Sequence, residues 1–233
     1  MPNEISWRRI DEKWDLSDSA WAPHLWLGSA DPAAIQPYAA DLVEGGVPVV
    51  VAAQATAHGQ SFVCDAASVV ATTTEDSAGI VCAVADEMWS RLSYLRSTKS
   101  AVPLPRLGVV LVDLHALVQD WRSLTHAGDQ RGVDPLNALH DLVSFARRSG
   151  IRIMATGNKD GLADRELLAG LRDNFVALDG PRDLSSSSAV SMTTAGAEDA
   201  SARPPLVCFS STFHAVATAH SESVAVVGGF SSH

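Results

Sequence analysis

Hydrophobic and polar positions divide this chain into short apolar runs separated by amphipathic and polar segments. The clearest run, residues 107–113, is apolar throughout until it closes on a single acid, Asp113. An apolar run without polar alternation is typical of a strand buried on both faces, as in a parallel sheet. Further β signals are predicted at 23–28, 47–53, 68–72, 151–155, 175–178 and 206–209, and over part of 215–227.

Amphipathic segments between these runs predict helices at 31–43, 75–96, 134–150 and 166–172. In the first of them Asp31 is the predicted N-cap and Pro32 the first helical residue, and Gly45-Gly46 ends it. The third has the strongest signals, with an acidic cap, proline, an apolar stripe, a basic last turn and a closing glycine.

Alternating strands and helices predict an α/β fold with three layers and a mostly parallel central sheet. In such sheets, ligands bind beyond the carboxyl ends of the strands. Asp113, at the end of a buried strand, is therefore a candidate magnesium or nucleotide position. The alternative is that Asp113 is only the N-cap of a helix.

The length of 233 residues favours one domain. We predict an irregular N-terminal arm at 1–22 and a single domain at 23–233. Within that domain, residues 185–203 are rich in Ser, Ala and Thr, which predicts a mobile loop.

The chain is acidic, and this limits its partners. A formal net charge of −10 and a pI near 5.1 argue against a broad basic surface for nucleic acid. Arg147, Arg148 and Arg152 are a local exception, and they are better explained as cations at a helix carboxyl terminus. With no apolar run of about 18 residues and no signal segment, we expect a cytoplasmic protein without a membrane span.

Other catalytic and metal-binding patterns are missing from the sequence. Cys64, Cys82 and Cys208 form no C-x-x-C pair, and the eight histidines form no H-x-x-x-H or H-E-x-x-H. There is no G-x-S-x-G nucleophile elbow. We therefore predict no metal ligands and no catalytic nucleophile, and expect Met88, Trp89 and Tyr94 to serve core and subunit packing rather than base stacking.

Several segments, in their order, resemble the motor domain of the FtsK/SpoIIIE family of RecA-like, P-loop ATPases. These segments are residues 23–28 (Pro-His-Leu-Trp-Leu-Gly), 69–76 (Val-Val-Ala-Thr-Thr-Thr-Glu-Asp), 87–91 (Glu-Met-Trp-Ser-Arg), 103–113, 151–156 (Ile-Arg-Ile-Met-Ala-Thr) and 171–175 (Leu-Arg-Asp-Asn-Phe). Members of this family pump DNA or couple substrates to conjugation and type VII secretion. The resemblance implies a RecA-like fold, with Asp113 at the Walker B position.

The phosphate loop departs from the pattern that the resemblance implies. A working loop needs glycines whose N–H groups cradle the phosphates, a lysine, and a Ser or Thr for magnesium. Here the corresponding residues are Gly28, Ser29, Ala30, Asp31 and Pro32, without lysine or a second glycine. Pro32 removes an N–H donor and Asp31 would repel phosphate, so tight ATP binding is not expected.

Two further positions are altered. Leu114 replaces the catalytic Glu that follows the Walker B Asp, and an apolar side chain cannot polarise the attacking water. After Thr156, Gly157-Asn158 replaces the usual sensor Gln, so Thr156 and Asn158 are sensor-like at most. Lys159 is a candidate substitute for the missing lysine, although we do not favour it.

The sequence therefore predicts a degenerate ATPase-fold protein that is not an enzyme and has no cofactor. It would be a non-catalytic partner or regulatory subunit of a DNA-transfer or secretion machine, and would bind a protein partner or further copies of itself. One alternative is an active ATP-dependent DNA translocase with an unusual phosphate loop, which would use ATP and magnesium. Another is a stand-alone α/β binding protein. Direct contact with nucleic acid has weaker support.

Overall fold

The computed structural model describes residues 24–28, 36–54, 67–98, 104–126, 134–157, 174–178, 204–220 and 224–226. The predicted arm at 1–22, the predicted helix at 166–172 and the predicted loop at 185–203 lie outside these residues. The predicted extent of the domain, 23–233, is likewise described only in part.

A six-stranded sheet forms the centre of the described part of the chain. Its strands are β1 (His24–Leu27), β2 (Val49–Ala53), β3 (Val69–Ala71), β4 (Leu107–Val112), β5 (Ile151–Thr156) and β6 (Phe175–Leu178). Their order is β3-β2-β4-β5-β1-β6, and every neighbouring pair is parallel. All six carboxyl ends therefore lie along one edge.

Helices lie between the strands in sequence. They are α1 (Gln36–Glu44), α2 (Thr74–Thr98), α3 (Leu114–His126), α4 (Pro135–Phe145) and α5 (Ser211–His220), and a 3-10 turn, Ala146–Ser149, follows α4. Two short strands, β7 (Leu206–Cys208) and β8 (Val224–Val226), pair in parallel as a separate sheet.

Alternate residues of the buried strands face opposite sides of the sheet, which divides the core in two. Leu25, Val49, Val51, Val110 and Met154 pack with Ala39 and Leu42 of α1 on one side. On the other, Trp26, Val50, Val109 and Ile153 pack with apolar residues of α2, α3, α4 and α5. The three-layer α/β fold with a parallel sheet is thereby confirmed.

The ends of α1 and α4 follow from their sequences. Gly46 has a φ of 74° and donates from N–H to the Val43 carbonyl at 2.9 Å, which ends α1 as predicted. At the start of α4, Asp134 Oδ1 accepts from the N–H groups of Leu136 and Asn137 at 3.1 and 3.0 Å. The helix is shorter than predicted, because its last turn tightens into the 3-10 turn before Gly150.

The β signal predicted over part of 215–227 is confirmed at its end and is wrong for 215–220, which are helical. Helix α5 occupies 211–220, and only Val224–Val226 is a strand. Ser210 caps the helix, since its Oγ accepts from the N–H of Phe213 at 3.3 Å. Phe213 and Ala217 are both buried and lie four residues apart, which is the spacing of one helix face.

Helix α3 was predicted only through the alternative that Asp113 is a helix N-cap, and no bounds were assigned to it. Leu114, Leu117, Val118 and Trp121 are all buried, at the steps of three and four residues that an amphipathic helix requires. The signal was present, but it follows the central strand directly, with no separating loop. None of the described helices combines the length and apolar character needed to cross a bilayer.

Candidate functional site

Three segments that resemble parts of an ATP site lie side by side at the carboxyl edge of the sheet. β5 pairs with β1 on one side and with β4 on the other, all in parallel. The chain therefore leaves the sheet at Gly28, at Asp113 and at Gly157 along one edge. Of the predicted site residues, Gly28, Asp113 and Thr156 belong to the described part, whereas Ser29, Ala30, Asp31, Pro32 and Asn158 lie outside it.

Asp113 links the end of β4 to the start of α3. Its φ of 52° is in the left-handed region, which Asp tolerates better than most residues. Its N–H donates to Thr156 Oγ1 at 2.9 Å, and its Oδ1 accepts from the N–H of Ala116 at 3.3 Å. The side chain thus acts as a helix N-cap, the alternative given above for this residue. We had also predicted that Asp113 holds the loop at 28–35 by hydrogen bonds, and of that loop only Gly28 lies within the described residues.

Leu114, at the position where the resemblance places a catalytic glutamate, is fully buried. It packs in the core with Leu117 and Trp121 of the same helix. Because α3 begins immediately after Asp113, the side chain at this position turns into the core instead of toward the carboxyl edge. A Glu here would bury a charge without a described partner, at a cost of several kcal/mol or a raised pKa.

Thr156 is also a structural residue. It is fully buried, and its hydroxyl holds the N–H of Asp113, which joins the ends of β5 and β4. The next residue, Gly157, donates from N–H to the Leu27 carbonyl at 3.2 Å and extends the pairing with β1. Thr156 and Gly157 therefore form hydrogen bonds to the ends of the neighbouring strands β4 and β1.

Trp26 occupies the space beside Gly157. A Cβ at position 157 would stand 2.9 Å from Trp26 Cζ2 and 3.1 Å from Cη2. The indole is buried and meets the ring of Phe175 edge-on, with centroids 6.1 Å apart. Within the described residues its Nε1 has no hydrogen-bond partner. A bulky residue in β1 has thus taken the volume that a side chain at 157, the position of the family's sensor Gln, would need.

His24, at the start of β1, is buried and uncharged. Burial, and next the charges of Arg147 and Arg152, lower the pKa of its imidazole to about 3. Its Nδ1 accepts from the N–H of Ile153 at 3.2 Å, which places the ring proton on Nε2. The carbonyls of Val143 and Leu142 raise the pKa slightly, but neither meets Nε2 with hydrogen-bond geometry among the described residues. A neutral ring at the amino end of the sheet cannot serve chemistry at the other edge.

The Glu-Met-x-x-Arg segment forms a buried ion pair. Arg91 Nε donates to Glu87 Oε1 at 2.7 Å, and both side chains are almost fully buried. Glu87 Oε2 also accepts from the N–H groups of Phe209 and Ser210 at 2.8 and 2.7 Å. The carboxylate thereby holds the start of α5 against α2.

The guanidinium of Arg91 connects further parts of the chain. It donates to the carbonyls of Pro105, Ser149 and Val207, and it lies 5.3 Å from the centre of the Phe209 ring. With every charged group paired, the network is satisfied and structural. The sequence matched this segment to the family without showing its role, although an i, i+4 Glu-Arg pair on a helix predicts an ion pair.

Other candidate chemistry finds no support in the described residues. Burial raises the pKa of the Cys82 and Cys208 thiols to about 12, so neither is a nucleophile near neutral pH. No group of three or more His, Cys, Asp or Glu is placed to hold a metal ion in this part of the chain. The core packing predicted for Met88 is confirmed, since its side chain is fully buried, whereas Trp89 is 40% exposed.

Comparison with known proteins finds similarity only among solved structures. No protein-family profile matches the chain, and no curated protein matches it. A solved structure of the pCW3 conjugation coupling protein TcpA, in a monomer form with ATPγS, is similar at 19% identity and a TM-score of 0.49. The similarity covers 69% of this chain and 49% of TcpA, so the chain spans about half the length of that structure.

Proposed function

We propose that this chain is a degenerate ATPase-fold protein that acts without catalysis, as a partner or regulatory subunit of a DNA-transfer or secretion machine. The observation that carries the proposal is the position of Leu114. It lies in the core directly after the Walker B-like Asp113, and the carboxylate of Asp113 caps α3. Leu114 offers no group that could orient an attacking water.

The residues at the carboxyl edge of the sheet, where a nucleotide would bind, support the same proposal. Thr156 is buried and bonded to Asp113, and Trp26 fills the space beside Gly157. Together with the missing lysine and glycines of residues 28–32, these features remove both the cradle for phosphate and the groups that activate water. The kind of machine rests on the segments that resemble the FtsK/SpoIIIE family, since a fold alone does not assign a function.

Isothermal titration with Mg-ATP tests the proposal on the full chain. We expect no binding in the micromolar range and no phosphate release, with or without DNA. Micromolar binding, or turnover that Asp113→Ala abolishes, would overturn it. Turnover stimulated by DNA would instead identify an active translocase with an unusual phosphate loop.

A further inference from the structure

The surface on the outer side of α2 and α4 combines exposed aromatic rings with cations. Trp89 of α2 is 40% exposed and Phe145 of α4 is 42% exposed, and their ring centroids are 5.6 Å apart. Single exposed apolar side chains are common, but two exposed aromatic rings in contact form a continuous apolar surface, which is a feature of interaction sites. We call the surface formed by Trp89, Phe145, Arg96 and Arg148 the aromatic-basic patch.

The cations of this patch come from both elements. Arg96 lies seven residues after Trp89, two turns and about 10 Å further along the same face of α2. Arg148 follows Phe145 by three residues in the 3-10 turn, and both arginines are exposed. Arg147 is half-buried and donates to Asn174 Oδ1 at 3.3 Å. It adds a positive charge near Arg148, but its side chain is less free to move.

A shallow groove lies further round α2, on the side that faces Phe209, and neither Trp89 nor Phe145 lines it. It has a volume of about 240 Å³ and is lined by Ser90, Ser93, Tyr94, Ser97 and Phe209. The three serines lie on one side of the helix, and the rings of Tyr94 and Phe209, 5.5 Å apart, form part of the wall. This volume suits one large apolar side chain rather than a whole small molecule.

The charge of the patch contrasts with that of the chain. Arg96 and Arg148 are both exposed, in a protein with a net charge of −10. Of the acids close to the rings in sequence, Glu87 is buried in its pair with Arg91. Asp86 and Asp141 lie about one turn before Trp89 and Phe145, on the side away from the arginines. A partner that covers the rings would therefore meet cations on one flank.

We propose that the aromatic-basic patch docks an acidic amphipathic helix of a partner protein. Apolar residues of that helix would cover Trp89 and Phe145, and its carboxylates would meet Arg96 and Arg148. Helices bind grooves in this way through anchors at i, i+3, i+4 and i+7. The patch lies toward the amino ends of the strands, so the proposal does not depend on whether the opposite edge binds nucleotide.

Fluorescence anisotropy with labelled probes tests this docking. The main probe is a blocked peptide of about 18 residues with Leu at helical i, i+3, i+4 and i+7 positions and Glu and Ala elsewhere. One matched peptide has Lys in place of Glu, another has Ser in place of Leu, and an oligothymidine of about 20 nucleotides represents nucleic acid. We expect micromolar binding of the acidic peptide, which weakens with added salt, and at least about tenfold weaker binding of the other probes.

Variants locate the binding on the patch. Trp89→Ser and Arg148→Glu should each weaken the acidic peptide about tenfold, whereas Arg122→Glu, an equal charge change on α3, should not. Because Arg148 is exposed, its variant keeps the test valid even if Trp89→Ser fails to fold. Equal binding of the Lys peptide, tighter binding of oligothymidine, no binding of the acidic peptide, or unchanged binding by Arg148→Glu would overturn the proposal.

Discussion

The indole of Trp26 lies so close to Gly157 that a Cβ added at 157 would stand 2.9 Å from Cζ2. The contact is with a ring held on both sides by core residues, and not with the end of a flexible chain. Gly157 does not have a positive φ, so space and not backbone conformation requires glycine here.

Gly157→Ala should therefore destabilise the protein by about 1–3 kcal/mol, measured by urea denaturation. In a Trp26→Leu background the same change should cost much less, because the ring that it meets is gone. Gly79→Ala, in α2 where nothing lies within 4 Å of the new Cβ, is the matched control and should stabilise by up to about 1 kcal/mol. Equal costs of Gly157→Ala in both backgrounds would show that Trp26 is not the cause.

Asp113 variants separate a cap from a magnesium ligand. Asn accepts the same hydrogen bond and tolerates a left-handed φ, so Asp113→Asn should change the free energy of unfolding by less than about 0.5 kcal/mol. Ala does neither, and Asp113→Ala should cost about 1–3 kcal/mol. Thermal denaturation with and without Mg²⁺ is the measurement. A magnesium-dependent increase in Tm that Asp113→Asn removes would contradict the cap assignment.

Breaking the Glu87–Arg91 pair should be among the most damaging changes in the chain. Arg91→Met leaves a buried carboxylate without its cation and should cost about 3–5 kcal/mol. The double variant Glu87→Leu with Arg91→Met should not recover this loss, because the N–H groups of Phe209 and Ser210 would lose their acceptor. Asp86→Asn, the exposed neighbour of Glu87, is the control and should have little effect. Full recovery in the double variant would show that the backbone contacts contribute little.

The burial of His24 predicts a specific pH dependence of stability. The folded pKa of about 3 lies below the unfolded value near 6.5, so the unfolded chain binds a proton first as the pH falls. The contribution of neutral His24 to the free energy of unfolding is fully present above about pH 6.5, and it is lost as the pH falls from there toward about 3. The loss amounts to about 2 kcal/mol by pH 5.

Urea denaturation of the wild type and of His24→Phe at pH 7 and pH 5 measures this contribution. The wild type should lose about 2 kcal/mol more than His24→Phe over that interval, whatever the stability of the variant at pH 7. Because both proteins have the same carboxylates, the pH-dependent contribution of these groups cancels when the two losses of stability are compared. An equal loss of stability in both proteins would show that His24 is not held in its neutral form by burial.

The parts of the fold that could be predicted from the sequence are those with local signals. The run at 107–112 and the cap at Asp134 depend on neighbouring residues, and both were predicted correctly. Whether Asp113 is a helix cap or a metal ligand depends on where α3 begins. No loop separates β4 from α3, so the sequence does not mark that position. The contact of Trp26 with Gly157 joins residues far apart in sequence, so its existence could not be predicted from local pattern.

The role of Glu87 changes what its sequence motif can tell about other proteins. The pair fastens α2 to β7, α5 and the lead into β4, and it touches neither Asp113 nor Thr156. Selection to keep the chain folded is therefore enough to retain the pair, whether or not the chain binds a nucleotide. A Glu-x-x-x-Arg match in a newly sequenced relative would then indicate a shared fold. Its capacity for ATP hydrolysis would have to be judged from the phosphate loop and from the residue that corresponds to Leu114.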